Sequence, residues 1–343
     1  MPLPRELNLT LRQRERLERL WRRFAREPLP PDLPGIISEQ FGVDLGGQYG
    51  ARSLANPFMV ASGDLTVCSD QVEKAFEAGW GGVVLKTAAV EDASGRCDLG
   101  HLRRSARPPI SRYAPGDSLR ARPVLRWDGR LFPGPIAEYA QVVREAANLA
   151  DDFGAAVAAS LAGPMPTGED DPCLDAWRHT AALLRACGIN AIEITFEPLE
   201  KTGGALPPDG MRHVLAAMGG AEVVARPPGG ALSGLTCAAG VTAHGPDVAV
   251  ASAAGFAVST VGGVYTGLRA LEHILAGALS VQVYSFLAGK VLRPVKRSLS
   301  KHEQVLYKLM LDPADGLVAG MLHLLNSAGV SSVREAAGRQ ETQ

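Results

Sequence analysis

Apolar residues along this chain fall into short unbroken runs, separated by longer stretches in which they recur every three or four positions. The runs cover residues 57–61, 82–85, 155–161, 191–196, 222–225, 256–261 and 279–284. Apolar runs without alternation suit strands buried on both faces, as in parallel sheets. Between them lie amphipathic helical patterns, for example Leu174, Trp177, Ala181 and Leu184, or Leu268, Leu271, Ile274 and Leu275. Four helices are predicted to stop at a small residue plus glycine, at Ala78-Gly79, Cys187-Gly188, Ala254-Gly255 and Ala276-Gly277, shortly before the next apolar run. Alternating helices and parallel strands mean an α/β fold, either a barrel or a doubly wound sheet. The stretch from about residue 40 to 340 matches the size of one (β/α)8 barrel. Only seven strands are evident, and the span between Arg226 and Gly262 has room for about one helix and one strand. The expectation is therefore a TIM (β/α)8-like barrel with an N-terminal helical extension; a distorted ring or one missing a unit stays open as an alternative, with the sixth strand shrunk to something like residues 235–241 or absent.

Ahead of the barrel, residues 9–26 place Leu17, Leu20, Trp21 and Phe24 on one helical face, and residues 28–34 form a proline-rich linker. Residues 1–34 are thus an N-terminal helical extension and residues 35–343 the barrel domain. Up to residue 30 there are eight arginines against four glutamates, which suits a membrane-surface or partner-binding helix. The plainer expectation is a helix packed on its own barrel or on a second subunit.

The whole chain carries 35 basic and 36 acidic residues, so it has no global field to attract nucleic acid. It shows no long apolar span and no apolar leader at its start, so a soluble cytoplasmic protein is expected. Five cysteines, widely spaced and without a Cys-x-x-Cys pair, argue against a disulfide framework, a zinc ribbon or an iron–sulfur cluster. No metal site is expected.

Candidate chemistry lies at the C-terminal ends of the strands, where barrel active sites sit. Strand one ends in Ala61-Ser62-Gly63-Asp64, strand two in Lys86-Thr87, strand four in Thr195-Phe196-Glu197-Pro198 and strand five in Arg226-Pro227-Pro228. The run from Val258 passes through Gly262 and Gly263 into a helix from about residue 268. Paired glycines let backbone N–H groups approach an anion, and the helix dipole favours negative charge. The next strand ends in Tyr284-Ser285-Phe286, a second set of donors facing the same point. This pairing reads as a phosphate cradle, although paired glycines are also common in plain turns. Lys86 follows an apolar run directly, so its charge needs solvent or a partner; a ligand oxygen and a simple rim ion pair are both open. Residues 88–133 are too long for an ordinary connection and are expected to cover the mouth. They carry nine arginines against five acids, which suits an anionic substrate or a solvated face. Cys68 and His101 are weaker candidates.

The segments Asn56-Pro-Phe-Met-Val-Ala-Ser-Gly63, residues 73–87 and Val261-Gly-Gly-Val-Tyr-Thr-Gly267 together resemble the class 1 dihydroorotate dehydrogenase and dihydropyrimidine dehydrogenase family. Ala191-Ile-Glu-Ile194, Gly229–Gly234 and the segment 328–335 add to the likeness. The resemblance implies an FMN-binding barrel that moves a hydride to or from a carbon–carbon bond. It implies that Ala61, Ser62 and Gly63 line the flavin, that Lys86 contacts its ring, and that Gly262, Gly263, Tyr284 and Ser285 hold its phosphate. Thr87, Thr195 and Arg226 complete the implied cofactor-binding set. The chain departs from the family where strand four lacks the Asn-x-Ser-Cys-Pro type motif, and where Arg226 replaces a lysine. Glu197 stands beside the missing base and is the substitute candidate, with capping of its own loop or pairing with Lys201 as the plain alternative.

The expectation is thus an FMN-dependent oxidoreductase of specialised biosynthesis, acting on a ring or enone substrate rather than on dihydroorotate. Lys86 would tune the flavin, and Glu197 or a solvent relay would move the proton. A separate reductase or homologous subunit and a homodimeric state are expected partners. The alternatives are a catalytically altered barrel serving as a binding or scaffold subunit, and a flavin-free enzyme that uses the phosphate site for its substrate.

Overall fold

A computed structural model describes residues 3–4, 6–103, 131–189, 191–195, 208–226, 238, 240–244, 247–288 and 299–339. Helices α1 (Leu11–Phe24) and α2 (Leu33–Phe41) come first, followed by an antiparallel hairpin of β1 (Gly47–Tyr49) and β2 (Arg52–Leu54). Eight parallel strands then close into a barrel: β3 (Phe58–Val60), β4 (Gly82–Val84), β6 (Ala156–Ala162), β7 (Ala191–Thr195), β8 (Glu222–Arg226), β9 (Gly240–His244), β10 (Val258–Val261) and β11 (Ala278–Val283). Pairing of β3 with both β11 and β4, and of β4 with β6, completes the ring, while the short β5 (Ala88–Ala89) continues the second strand along β6.

The barrel is complete, as expected of a TIM-like fold, and the alternative of a distorted or missing unit falls away. The sixth strand is β9, and it begins later than the expected 235–241. Its composition hid it: Gly240-Val-Thr-Ala-His244 holds one large aliphatic residue, because its inner face carries Thr242 into a polar interior instead of an apolar one. Around the strands lie α3 (Ser69–Glu77), α4 (Ile136–Phe153), α5 (Cys173–Ala186), α6 (Pro208–Ala217), α7 (Asp247–Ala253) and α8 (Gly267–Leu275). After the last strand come α9 (Ser285–Ala288), α10 (Lys301–Leu311), α11 (Leu317–Ala328) and α12 (Val333–Ala336). The four glycine stops are real: Gly79, Gly188, Gly255 and Gly277 have φ of 85°, 88°, 86° and 114°, which turns each helix straight into its strand.

The hairpin plugs the N-terminal end of the barrel. Tyr49 and Leu54 pack with Met59, Val84, Ala156, Ala158, Ala191 and Val224 in one buried cluster. Helix α1 packs on its own chain. Leu17, Leu20 and Phe24 are buried in the main core, and Trp21 stacks on Tyr307 of α10 with ring centroids 4.0 Å apart and planes within 9°. The apolar face that suited a membrane or a partner is therefore covered from within, and the division at residues 34 and 35 falls inside α2. Among the described residues no helix is long and apolar enough to cross a membrane.

Two histidines make this core acid-sensitive. His302, edge-on to Trp80, and His273 have their pKa values lowered to about 4, chiefly by burial. The unfolded chain therefore binds more protons between that value and the ordinary 6.5, so stability falls as pH drops through this window. The melting midpoint should decline from pH 6.5 toward 4, and His302→Leu should flatten the decline. An unaltered slope in that variant would assign the sensitivity to other groups.

Candidate functional site

The C-terminal mouth of the barrel is shaped by a break in its second strand. Leu85 still donates its N–H to Ala158 O at 2.9 Å, but the Lys86 N–H turns away to Thr66 O at 2.9 Å. The strand returns with Ala88 and Ala89, and Val90 N–H bonds Ala162 O at 2.9 Å. The lifted residues would leave Ser160 without backbone partners in the wall. Tyr139 of α4 supplies them, accepting from Ser160 N at 2.9 Å and donating to Ser160 O at 3.3 Å. Burial raises the Tyr139 phenol pKa, which keeps it a neutral hydroxyl.

Lifting these residues brings three strand ends together. Thr87 Oγ1 lies 2.9 Å from Ser62 Oγ and 2.9 Å from Ser160 Oγ, a chain of three hydroxyls in which either member of each pair can donate. Lys86 Nζ lies 2.9 Å from Asp64 Oδ1. The lysine side chain is only 5% exposed and the aspartate side chain 51%, so a buried cation is met by a carboxylate at the mouth. Tyr284 closes over the first strand's loop: a Cβ on Gly63 would lie 2.1 Å from its ring, and its hydroxyl accepts the Asp64 N–H at 3.4 Å. Ala61 is buried beneath, with its N–H on Val283 O at 3.1 Å. The first, second and eighth strand ends thus form one wall.

Below the mouth the barrel interior is polar. Glu193, fully buried, accepts from Tyr49 Oη at 3.0 Å, Thr242 Oγ1 at 2.7 Å and Gln282 Nε2 at 2.8 Å, all on Oε2. Gln282 also reaches Ser259 Oγ at 3.4 Å, and Ser280 donates to Ser259 at 3.0 Å. Burial, then the Glu193 charge, hold the Tyr49 phenol pKa well above its ordinary value, so it serves as a donor. Glu193 Oε1 and Thr195 Oγ1 are buried with no hydrogen-bond partner among the described residues. Thr195 sits two residues nearer the mouth on β7 and pairs in register with Arg226 of β8, which is half-buried. Sequence reasoning gave no role to Asp64, Ser160, Glu193, Thr242 or Gln282. The available signal was a charged residue in the middle of the apolar run Ala191-Ile-Glu-Ile194, which a doubly buried strand tolerates only with partners.

The paired glycines lie at the end of β10. Gly262 and Gly263 are exposed and have successive positive φ of 89° and 70°, and a Cβ on Gly263 would meet nothing within 4 Å. The helix that follows does not join them. Thr266 caps α8 by accepting the Arg269 N–H at 3.1 Å, Leu268 N–H goes to Asp315 O at 2.9 Å, and Gly267 is enclosed by Leu317 N and Leu309 O. Three intervening residues carry the helix start into the α10–α11 corner, so its first-turn donors are used within the chain. The candidate cradle is thus the Gly262–Gly263 backbone, with the start of α8 three residues further on. Ser285 opens the short α9.

Glu197, the substitute base, lies outside the described residues, as do Lys201, 227–237 and 104–130 of the expected cover. Cys68 is exposed at the start of α3. The residues at the mouth fit a phosphorylated ring cofactor: exposed backbone at Gly262–Gly263, a buried cation at Lys86, and a buried hydroxyl at Thr195 without a partner among the described residues. Among those residues no group of three or more His, Cys, Asp or Glu could hold a metal ion. No protein-family model matches this chain, and no curated protein matches it.

Proposed function

We propose that this chain is an FMN-dependent oxidoreductase that transfers a hydride to or from a carbon–carbon bond of a ring or enone substrate. The observation that carries the reading is the sharing of one barrel mouth by the Gly262–Gly263 turn and the buried Lys86. The two glycine N–H groups would take the phosphate, and Lys86, Thr87, Thr195 and Arg226 would line the ring, with Ala61, Ser62 and Gly63 forming the wall beside it. FMN bound here supplies the hydride chemistry. The protein's part is to orient the ring and to move a proton. Ser62, Thr87 and Ser160 form a hydroxyl chain whose direction of donation can reverse, so Ser62, half-buried at its outer end, can present the ring with either a donor or an acceptor without taking up a net proton. Glu197 remains the proposed base on the strand-four side. Tyr284, packed over Gly63, holds the first-strand loop in place, a role separate from phosphate binding.

The test uses FMN-loaded protein, reduced anaerobically and mixed with cyclic enones and unsaturated heterocycles. Saturable flavin reoxidation is expected with at least one of them. Thr87→Val, which removes the middle hydroxyl and keeps the shape, should slow that step by about tenfold or more, whereas Thr87→Ser should not. No reoxidation by any member, in protein that retains FMN, would overturn the oxidoreductase reading and favour a binding role.

A further inference from the structure

The Lys86–Asp64 pair contains more than a cation for a cofactor. A lysine left alone at the mouth would favour anions of every kind, yet here its ammonium is already met by a carboxylate at 2.9 Å. Both halves are held through their backbones. Lys86 N–H is held by Thr66 O at 2.9 Å; Asp64 is held by its N–H on Tyr284 Oη at 3.4 Å and by its C=O, which accepts from Gln71 Nε2 at 3.2 Å. The donor is buried and the acceptor is half-exposed, so the pair offers an approaching ligand a donor and an acceptor side by side.

We propose that Lys86 and Asp64 act together as a two-point reader of an imide or lactam edge, with Lys86 donating to the ring C=O and Asp64 accepting the neighbouring ring N–H, and that Asp64 thereby excludes carboxylates from this position. A neutral edge of that kind satisfies both groups without disturbing their mutual attraction. A carboxylate on Lys86 must displace Asp64 or sit beside it, leaving two negative charges on one cation in a poorly solvated place. The expected anionic substrate is thus disfavoured at Lys86. The pyrimidinedione edge of the flavin is one source of this chemistry, and that case rests on the FMN reading; a substrate ring with the same edge is the other.

The experiment is a fluorescence titration of the full chain and of Asp64→Ala with FMN, 3-methyl-FMN, lumazine and 3-methyllumazine, since N3-methylation removes the N–H and keeps the carbonyls. A hydrogen bond to a charged acceptor implies that methylation weakens binding by about tenfold or more in the wild type and by about twofold or less in Asp64→Ala. If the difference is found with FMN, the flavin edge is the ligand. If it is found with lumazine on FMN-loaded protein, the substrate edge is. Lumazine binding that is sensitive to methylation, in a chain that does not bind FMN, would sink the flavin reading and sustain the reader. Equal binding of parent and methylated probes by the wild type, an unchanged penalty in Asp64→Ala, or binding of no probe would overturn the reader. Asp64→Asn supplies the charge test: its preference for benzoate over lumazine should rise by about tenfold relative to wild type, and an unchanged preference would overturn the exclusion.

Discussion

Gly263→Val is expected to cost the protein at least about a hundredfold in FMN affinity while leaving most of its fold intact. The fold tolerates the added bulk, because a Cβ at this position meets nothing within 4 Å. The backbone does not tolerate the residue: at φ of 70° a β-branched side chain is a genuine outlier, so the turn either carries strain of about 1–2 kcal/mol or rearranges. Rearrangement moves the two N–H groups that the phosphate needs, and in a turn that keeps its shape the new methyls occupy the open face through which the phosphate must approach. Losing two charge-assisted bonds of about 1.5–3 kcal/mol each accounts for the size of the loss. A flavin titration beside a melting curve separates the two effects, and unchanged affinity would remove this site assignment. The first-turn N–H groups of Leu268 and Arg269 are already bonded, to Asp315 O and Thr266 Oγ1, so they are not free to replace the lost donors.

Glu193→Ala is expected to destabilise the barrel by about 3–5 kcal/mol, the largest stability effect of any single change at the site. Three donors, from Tyr49, Thr242 and Gln282, converge on Oε2, and none of them is exposed. Removing the carboxylate strands all three and opens space among Val224, Ala158 and their neighbours. It also frees the hairpin that plugs the barrel, since Tyr49 is fixed to the interior through this bond. Glu193→Gln keeps one acceptor oxygen and should cost about 1–2 kcal/mol. Urea unfolding of both variants, with Tyr49→Phe completing a double-mutant cycle, measures the coupling. A loss below about 1 kcal/mol in Glu193→Ala would mean that the network does not hold the plug.

The barrel was readable because its outer packing obeys periodic rules. Continuous apolar runs marked seven strands, and the glycines after four helices marked where four of them begin. The eighth was illegible for the reason that makes the interior interesting: β9 turns Thr242 inward to Glu193, so it lacks the apolar signature of its neighbours. The hairpin escaped for a different reason, since Gly47–Tyr49 and Arg52–Leu54 are each three residues long, too short for a periodic signal. At the barrel mouth, the strand-end rule gave the positions of Ser62, Lys86, Thr87 and Thr195, but their partners depend on three-dimensional register. Lys86 meeting Asp64, and Thr87 bridging Ser62 to Ser160, follow from the break at residues 85–87, which no pattern of hydrophobicity encodes. Nor could the sequence show that the Leu268 N–H at the start of α8 is bonded to Asp315 O, far along the chain.

The most direct measurement is the absorbance spectrum of freshly purified protein, with denaturation to release and identify any chromophore. The flavin reading predicts released FMN near one per chain, or stoichiometric uptake when FMN is added to colourless protein. A colourless chain that also fails to take up added FMN would contradict it, and would assign the barrel to a scaffold role or to flavin-free chemistry at the same mouth.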